Sequence, residues 1–220
     1  MDTALLFDLD GTLADTEWLH FEAFVEVFAQ EGIDLDAAAY QSRIMGFPGH
    51  AIAASFLPHR PRAQAAAVMD RKEQLYRDRI TTVTPPLGAM ALLDFADAHR
   101  IPYALVTNAP LANAERVLAA MGVRQRFAAV VSGADLPHSK PHPLPYLTAL
   151  EQLGAKAARS VAFEDAGSGV RAAVAAGIPL VGVTSTLKAE ALLVLGATFA
   201  VADFTDPRIL ALIERQMGRR

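Results

Sequence analysis

No cysteine occurs in the 220 residues, which removes disulfides, thiolate catalysis and cysteine-zinc sites from consideration. Long apolar runs are missing too. Nothing approaches the roughly 18 uninterrupted apolar residues of a membrane-crossing helix, because Arg, Asp and Gly break the alanine-rich tracts. Positive charge is scarce: 20 Lys and Arg stand against 24 Asp and Glu, a net charge of −4, which argues against a nucleic-acid or membrane partner. The only local basic run, Arg219-Arg220, is expected to be a frayed tail. No signal-peptide pattern precedes the first apolar run, so a cytoplasmic location is the default expectation. What remains, 52% hydrophobic and 20% charged, is ordinary for a globular enzyme of one domain, with or without an insertion.

The stretch Thr3-Ala4-Leu5-Leu6-Phe7-Asp8-Leu9-Asp10-Gly11-Thr12-Leu13-Ala14-Asp15-Thr16 organises the rest. Ala4 to Phe7 is a short apolar run of the kind buried on both faces of a parallel sheet. It ends in two carboxylates, Asp8 and Asp10. In an extended chain these point the same way, about 7 Å apart, with Leu9 turned into the core between them. Gly11 is free to take positive φ and turn the chain off the sheet. Two acids at a buried strand end repel, so a positive group is expected beside them, and a divalent cation suits converging oxygen ligands.

Residues 15–80 read as helical. Trp18, Phe21, Phe24, Val25 and Phe28 recur at three- and four-residue spacing as one apolar stripe, closed by Gly32. Residues 36–43 and 50–56 are expected as short helices around a Met45-Gly46-Phe47-Pro48-Gly49 loop, and 62–80 as a longer one. From Thr81 the pattern changes. Helices are expected over 87–99, 112–121, 144–153, 169–176, 188–195 and 207–217, alternating with strands over 101–107, 128–131, 160–163, 180–183 and 199–201. Such alternation means a doubly wound, Rossmann-like parallel α/β sheet, with ligands at the C-terminal strand ends. The expected organisation is an α/β core of residues 1–14 and 81–220, with an inserted helical-bundle cap, residues 15–80, covering the acidic strand end.

Three more strand ends carry candidate chemistry. Thr107 and Asn108 close the 101–107 run; a hydroxyl followed by backbone amides can hold phosphate oxygens, and an ordinary turn is the competing reading. Lys140 sits in Ser139-Lys140-Pro141-His142-Pro143, where two prolines stiffen the turn. His142 reads as filler there, and surface solvation is the bland reading of Lys140. Glu164 and Asp165 end the 160–163 run, before Ala166-Gly167-Ser168-Gly169. A helix N-terminus favours acids, but that explains only one carboxylate at a buried strand end.

Together these residues resemble the four motifs of the haloacid dehalogenase superfamily. The first is Asp8-Leu9-Asp10-Gly11-Thr12-Leu13-Ala14-Asp15-Thr16, the second Thr107, the third the Lys140 turn, and the fourth runs from Glu164 to Gly169. The likeness covers essentially the whole chain, and residues 15–80 resemble the small helical cap of the β-phosphoglucomutase and phosphoglycolate phosphatase branch. It implies a phosphatase acting on a small phosphorylated metabolite through an aspartyl-phosphate. Asp8 is then the nucleophile and Asp10 the general acid/base. Mg2+ is held by Asp8, the Asp10 carbonyl, Glu164 and Asp165, while Lys140, Thr107 and the Asn108 amide bind the phosphoryl group. Thr16, His20, Gly46 and Lys72 are the substrate-side candidates of the cap. His20 reads equally well as a packed histidine, and Lys72 as part of an exposed helix face. A monomer or weak homodimer is expected.

The rival within the superfamily is a β-phosphoglucomutase-type phosphomutase. Mutases of that branch carry a Lys just before the cap-loop Gly and an Arg three residues after it. This chain has Met45 and Gly49 at those places, with Arg43 the nearest cation, so hydrolysis is the expected outcome. A non-catalytic relative or a receiver-like phosphoryl-binding module is the remote alternative. Receivers lack a helical insertion of this length, and every catalytic position here is filled.

Overall fold

The computed structural model describes residues 2–218, so the Arg219-Arg220 run lies outside the described residues. The chain falls into two compact units: residues up to Asp15 together with those from Val83 onward, and Thr16–Thr82. The second unit is helical, with α1 (Glu17–Gln30), α2 (Ala37–Arg43), α3 (Gly49–Phe56) and α4 (Arg62–Arg79). The first alternates β1 (Leu5–Phe7), α5 (Ala89–Ala98), β2 (Tyr103–Thr107), α6 (Leu111–Ala120), β3 (Ala129–Ser132), α7 (Leu144–Leu153), β4 (Val161–Glu164), α8 (Gly167–Ala175), β5 (Leu180–Val183), α9 (Ala189–Val194), β6 (Phe199–Val201) and α10 (Pro207–Gln216). The described strands form a single parallel sheet in the order β3-β2-β1-β4-β5-β6. Among the described residues, no helix is long and apolar enough to cross a membrane.

Element ends fall within two residues of those read from the sequence, and the shifts have local causes. Pro102 has no N–H to give a ladder, so β2 starts at Tyr103 rather than Ile101. Glu164 pairs with Gly182, which carries β4 one residue beyond Phe163. The chain begins in the middle of the sheet, steps outward through β2 and β3, returns beside β1 as β4, and steps outward the other way. The C-terminal end of β1 therefore lies at the switch point where such sheets bind ligands.

Register decides which face each residue serves. Leu6 aligns with Ala104 and Ala162, and Phe7 with Leu105 and Phe163. Leu6, Ala104, Val106 and Ala162 share one core with Tyr146 and Ala149 of α7 and Val170 and Ala173 of α8. On the other face Phe7 stacks on Phe163, with ring centroids 4.8 Å apart and planes 8° from parallel. Successive strand residues alternate faces. Asp8 and Glu164, one step past Phe7 and Phe163, accordingly emerge on the side covered by α7 and α8.

In the helical unit the α1 stripe is rotated from the expected one. Leu19, Ala23, Phe24, Val27 and Phe28 are buried, and Phe24, Val27 and Phe28 pack with Tyr40, Ile44, Ile52, Val68 and Met69. Trp18 is 54% exposed, and Phe21 and Val25 are half-buried. Of the five residues read as one stripe, packing inside the unit buries Phe24 and Phe28 and partly buries Phe21 and Val25, and Trp18 is left outside.

Candidate active site

β1 stops at Phe7; the Asp8 N–H still bonds the Phe163 carbonyl at 3.1 Å, but Asp10 does not continue an extended strand as the sequence suggested. The Leu9 carbonyl instead accepts the N–H groups of Thr12, Leu13 and Ala14 at 3.2, 2.9 and 3.0 Å, winding the chain into a tight turn. Gly11 takes φ +79°, and a Cβ there would sit 2.2 Å from Asp165 Oδ2, so both the turn and the close approach require glycine. Leu9 is fully buried, as expected. The turn sends the two acids to different places. The Asp8 carboxylate converges with those of Glu164 and Asp165, with one oxygen from each lying within 4.8 Å of the others. The Asp10 carboxylate stays outside that group and acts on Asp8 through its charge.

Lys140 reaches this cluster from the loop before α7. Its Nζ donates to Asp8 Oδ1 at 2.7 Å, to the Val106 carbonyl at 2.6 Å and to Glu164 Oε1 at 2.5 Å, which engages all three ammonium protons. It is therefore buried and paired rather than a solvated surface lysine. The Asn108 side chain fixes the lysine's backbone from both sides: its Oδ1 accepts the Lys140 N–H at 2.9 Å, and its Nδ2 donates to the Lys140 carbonyl at 3.1 Å. Thr107, also buried, accepts the Ala109 N–H at 3.0 Å, so its own proton remains to be donated. His142 accepts the Leu144 N–H at 3.1 Å in the turn itself.

The second acidic strand end is built as carefully. Asp165 accepts Thr12 Oγ1 at 3.1 Å on one oxygen, and Thr186 and Ser185 hydroxyls on the other. Glu164 accepts the Tyr146 hydroxyl at 2.6 Å on the same oxygen that Lys140 touches. A Cβ on Gly169 would lie 1.9 Å from the Glu164 carboxyl carbon, so the last glycine of the motif is the slot into which that carboxylate fits. Tyr146, Thr12, Ser185 and Thr186 were not singled out in the sequence. Tyr146 lies six residues beyond Lys140 in an apolar helix, where periodicity marks it only as core.

Burial pushes all three carboxylates up. Asp8 is raised by burial and the Asp10 charge, against the opposing Lys140 ammonium. Glu164 is pushed up to about 8 by burial and then by the Asp8 charge. Asp165 is pushed up to about 7 by the same two causes, against its hydroxyl partners. Burial alone would lower Lys140, but Asp8 and Glu164 outweigh it and raise the ammonium. One ammonium among three buried carboxylates leaves negative charge concentrated at one strand-end cleft. Oxygen-only, anionic and converging, this donor set fits a hard divalent cation such as Mg2+ and offers none of the nitrogen or sulfur ligands that softer metals prefer.

The remaining candidates lie in the helical unit. Lys72 is buried there, not on an exposed face: its Nζ is 2.7 Å from His20 Nδ1, 3.0 Å from Glu73 Oε1 and 4.4 Å from the Phe24 ring centroid. The ammonium lies over the Phe24 and Tyr76 rings, which helical spacing does not reveal. His20 stacks on Tyr76 with centroids 3.8 Å apart. Thr16 precedes α1, its carbonyl accepting the Leu19 and His20 N–H groups, and Gly46 takes φ +75° between α2 and α3.

The chain is similar to proteins already known. The haloacid dehalogenase-like hydrolase family profile matches residues 5–183. Validoxylamine A 7′-phosphate phosphatase of Streptomyces hygroscopicus subsp. limoneus is 35% identical over 223 residues, 92% of this chain and 94% of that one. Fructose-1-phosphate phosphatase of Escherichia coli (strain K12) is 33% identical over 180 residues, 81% of this chain and 95% of that one. The crystal structure of CbbY from Rhodobacter sphaeroides in complex with phosphate superposes with a TM-score of 0.84 at 29% identity, covering 94% of this chain and 96% of that one.

Proposed function

Since this chain belongs to the haloacid dehalogenase-like hydrolase family, we propose that it is a Mg2+-dependent phosphatase. It removes phosphate from a small phosphorylated carbohydrate, the substrate class in the name of its Escherichia coli relative, through an aspartyl-phosphate on Asp8. The observation that carries this reading is the Lys140 ammonium 2.7 Å from Asp8 Oδ1 in a cluster of three buried carboxylates.

An Asp8 oxygen attacks phosphorus and the bond to the substrate oxygen breaks, leaving the phosphoryl group on the aspartate. Asp10, outside the ligand cluster but close enough to feel Asp8, protonates the departing alkoxide. It then takes a proton from the water that attacks the acylphosphate and releases inorganic phosphate. Lys140 holds the Asp8 carboxylate in place and offsets charge on the phosphoryl oxygens, with the Thr107 hydroxyl and the Asn108 backbone amide as further donors. Mg2+ would be held by Asp8, Glu164, Asp165 and the Asp10 carbonyl, and when bound it supplies the positive charge that lets an anionic phosphate meet an anionic nucleophile.

Residues 15–80 are assigned the role of cap, selecting the leaving group, with Thr16, His20, Gly46 and Lys72 as its candidates. A cytoplasmic monomer or weak dimer, with no nucleic-acid or membrane partner, completes the reading. Hydrolysis is favoured over phosphomutase activity by the fate of Arg43. Its guanidinium donates to Ser55 Oγ at 2.9 Å and lies 4.1 Å over the Phe56 ring, so the cation nearest the Gly46 loop in sequence is already engaged. The test is phosphate release from p-nitrophenyl phosphate and a panel of sugar phosphates. Release that needs Mg2+ is expected; release untouched by a chelator would remove the metal from the reading.

A further inference from the structure

Tyr146 takes no part in the chemistry just described, yet it is fully buried and aimed at it. Pro143 and Pro145 frame the start of α7 directly after the Lys140 turn, which brings Tyr146 back beside that lysine. The hydroxyl donates to Glu164 Oε1 at 2.6 Å, and the Lys140 Nζ lies 5.1 Å from the ring centroid. From the α8 side Gly169 closes on the same carboxylate. Glu164 is thus bracketed by a hydroxyl and an ammonium at one oxygen and by a helix backbone behind it.

We propose that Tyr146 is a positioning residue for the cation site: its hydroxyl fixes Glu164 Oε1, so that Oε2 is the oxygen given to the ion and stays oriented when Lys140 turns to the phosphoryl group. Lys140 has three N–H bonds and all are used, on Asp8, Val106 and Glu164. To contact a phosphoryl oxygen it must release one of them. Glu164 is the partner that loses least, because Tyr146 still holds the same oxygen. A buried tyrosine hydroxyl needs some acceptor, and a neutral carbonyl would have met that need; this one is given to an acid of the ligand cluster.

The inference rests on the cation reading of the cluster, and the test separates the two. Thermal melting is followed against Mg2+ concentration with no substrate present, in the wild type, Tyr146→Phe, Glu164→Ala and the double variant. Phenylalanine keeps the ring against Lys140 and the core, so the metal-free melting temperature should change little. The Mg2+ concentration giving half the stabilisation should rise about tenfold, the low end for losing a partner of a metal ligand. In the Glu164→Ala background the same change should leave that midpoint where it is, since Tyr146 acts only through Glu164. An unaltered midpoint in Tyr146→Phe, or an equal rise in both backgrounds, overturns the proposal. A wild type that Mg2+ does not stabilise at all overturns the cation reading and this proposal with it.

Discussion

Replacing Gly169 with alanine probes the tightest packing at the site. The added Cβ would lie 1.9 Å from both Cδ and Oε1 of Glu164 and 2.0 Å from Oε2. Carbon contacts are comfortable only near 3.5 Å, so the carboxylate or the first turn of α8 must retreat by roughly 1.5 Å. Glu164 has nowhere cheap to go, because Lys140 and Tyr146 hold its far side. Overpacking costs about 1–3 kcal/mol, and a broken charge-assisted hydrogen bond about 1.5–3 kcal/mol. A loss of around 3 kcal/mol would lower Tm by roughly 6–12 °C in a protein of this size. Gly167, two residues earlier, is the control. A Cβ there meets Arg171 Nη2 at 3.3 Å and Leu195 Cδ1 at 3.4 Å, and alanine is the better helix former. Gly167→Ala should therefore melt within about 3 °C of wild type. The assay is thermal unfolding of both variants with and without Mg2+. Equal melting of the two would show that Gly169 is not the slot for Glu164.

Asp10→Ala should slow turnover by a factor on the order of 10²–10⁴ on substrates with poor leaving groups, as expected for losing a general acid/base; a drop under about threefold would take Asp10 out of that role. Lys140→Met removes the one cation among three buried acids and should cost about 3–5 kcal/mol of metal-free stability, with Mg2+ restoring part of it; urea unfolding reads both, and a neutral effect would mean the pair contributes nothing. Incubation with β-glucose 1-phosphate and catalytic glucose 1,6-bisphosphate should yield inorganic phosphate, since Arg43 is engaged by Ser55 and Phe56. Rapid formation of glucose 6-phosphate would favour the mutase instead.

Strands and helices of the α/β unit were legible because each is a short apolar run bounded by a glycine, a proline or an acid. The adjacency of Asp8 to Glu164 and Asp165 depended on β1 and β4 being neighbours, which the Phe7–Phe163 register supplies. Several side chains were not legible, each because its direction is set by tertiary packing. Lys72 looked like a solvated helix residue, yet aromatic faces of its own unit bury its ammonium. Trp18 looked like core and faces outward. Tyr146 has the spacing of an ordinary core residue, and only the placement of α7 over β2 and β3 turns its hydroxyl toward an acid. The Ser185 and Thr186 hydroxyls follow β5, a strand end with no charged residue to draw notice, although they bind Asp165 from there.

The central claim is that Asp8 carries the phosphoryl group. Acid-quenching the enzyme during turnover, digesting it and weighing the fragments tests that directly. One added phosphoryl group is expected on the peptide containing Asp8, removable by hydroxylamine. An Asp8→Asn variant should fold, show no label and release no phosphate, because an amide is a poor nucleophile. Wild-type turnover by that variant, or a label on any other residue, would contradict it.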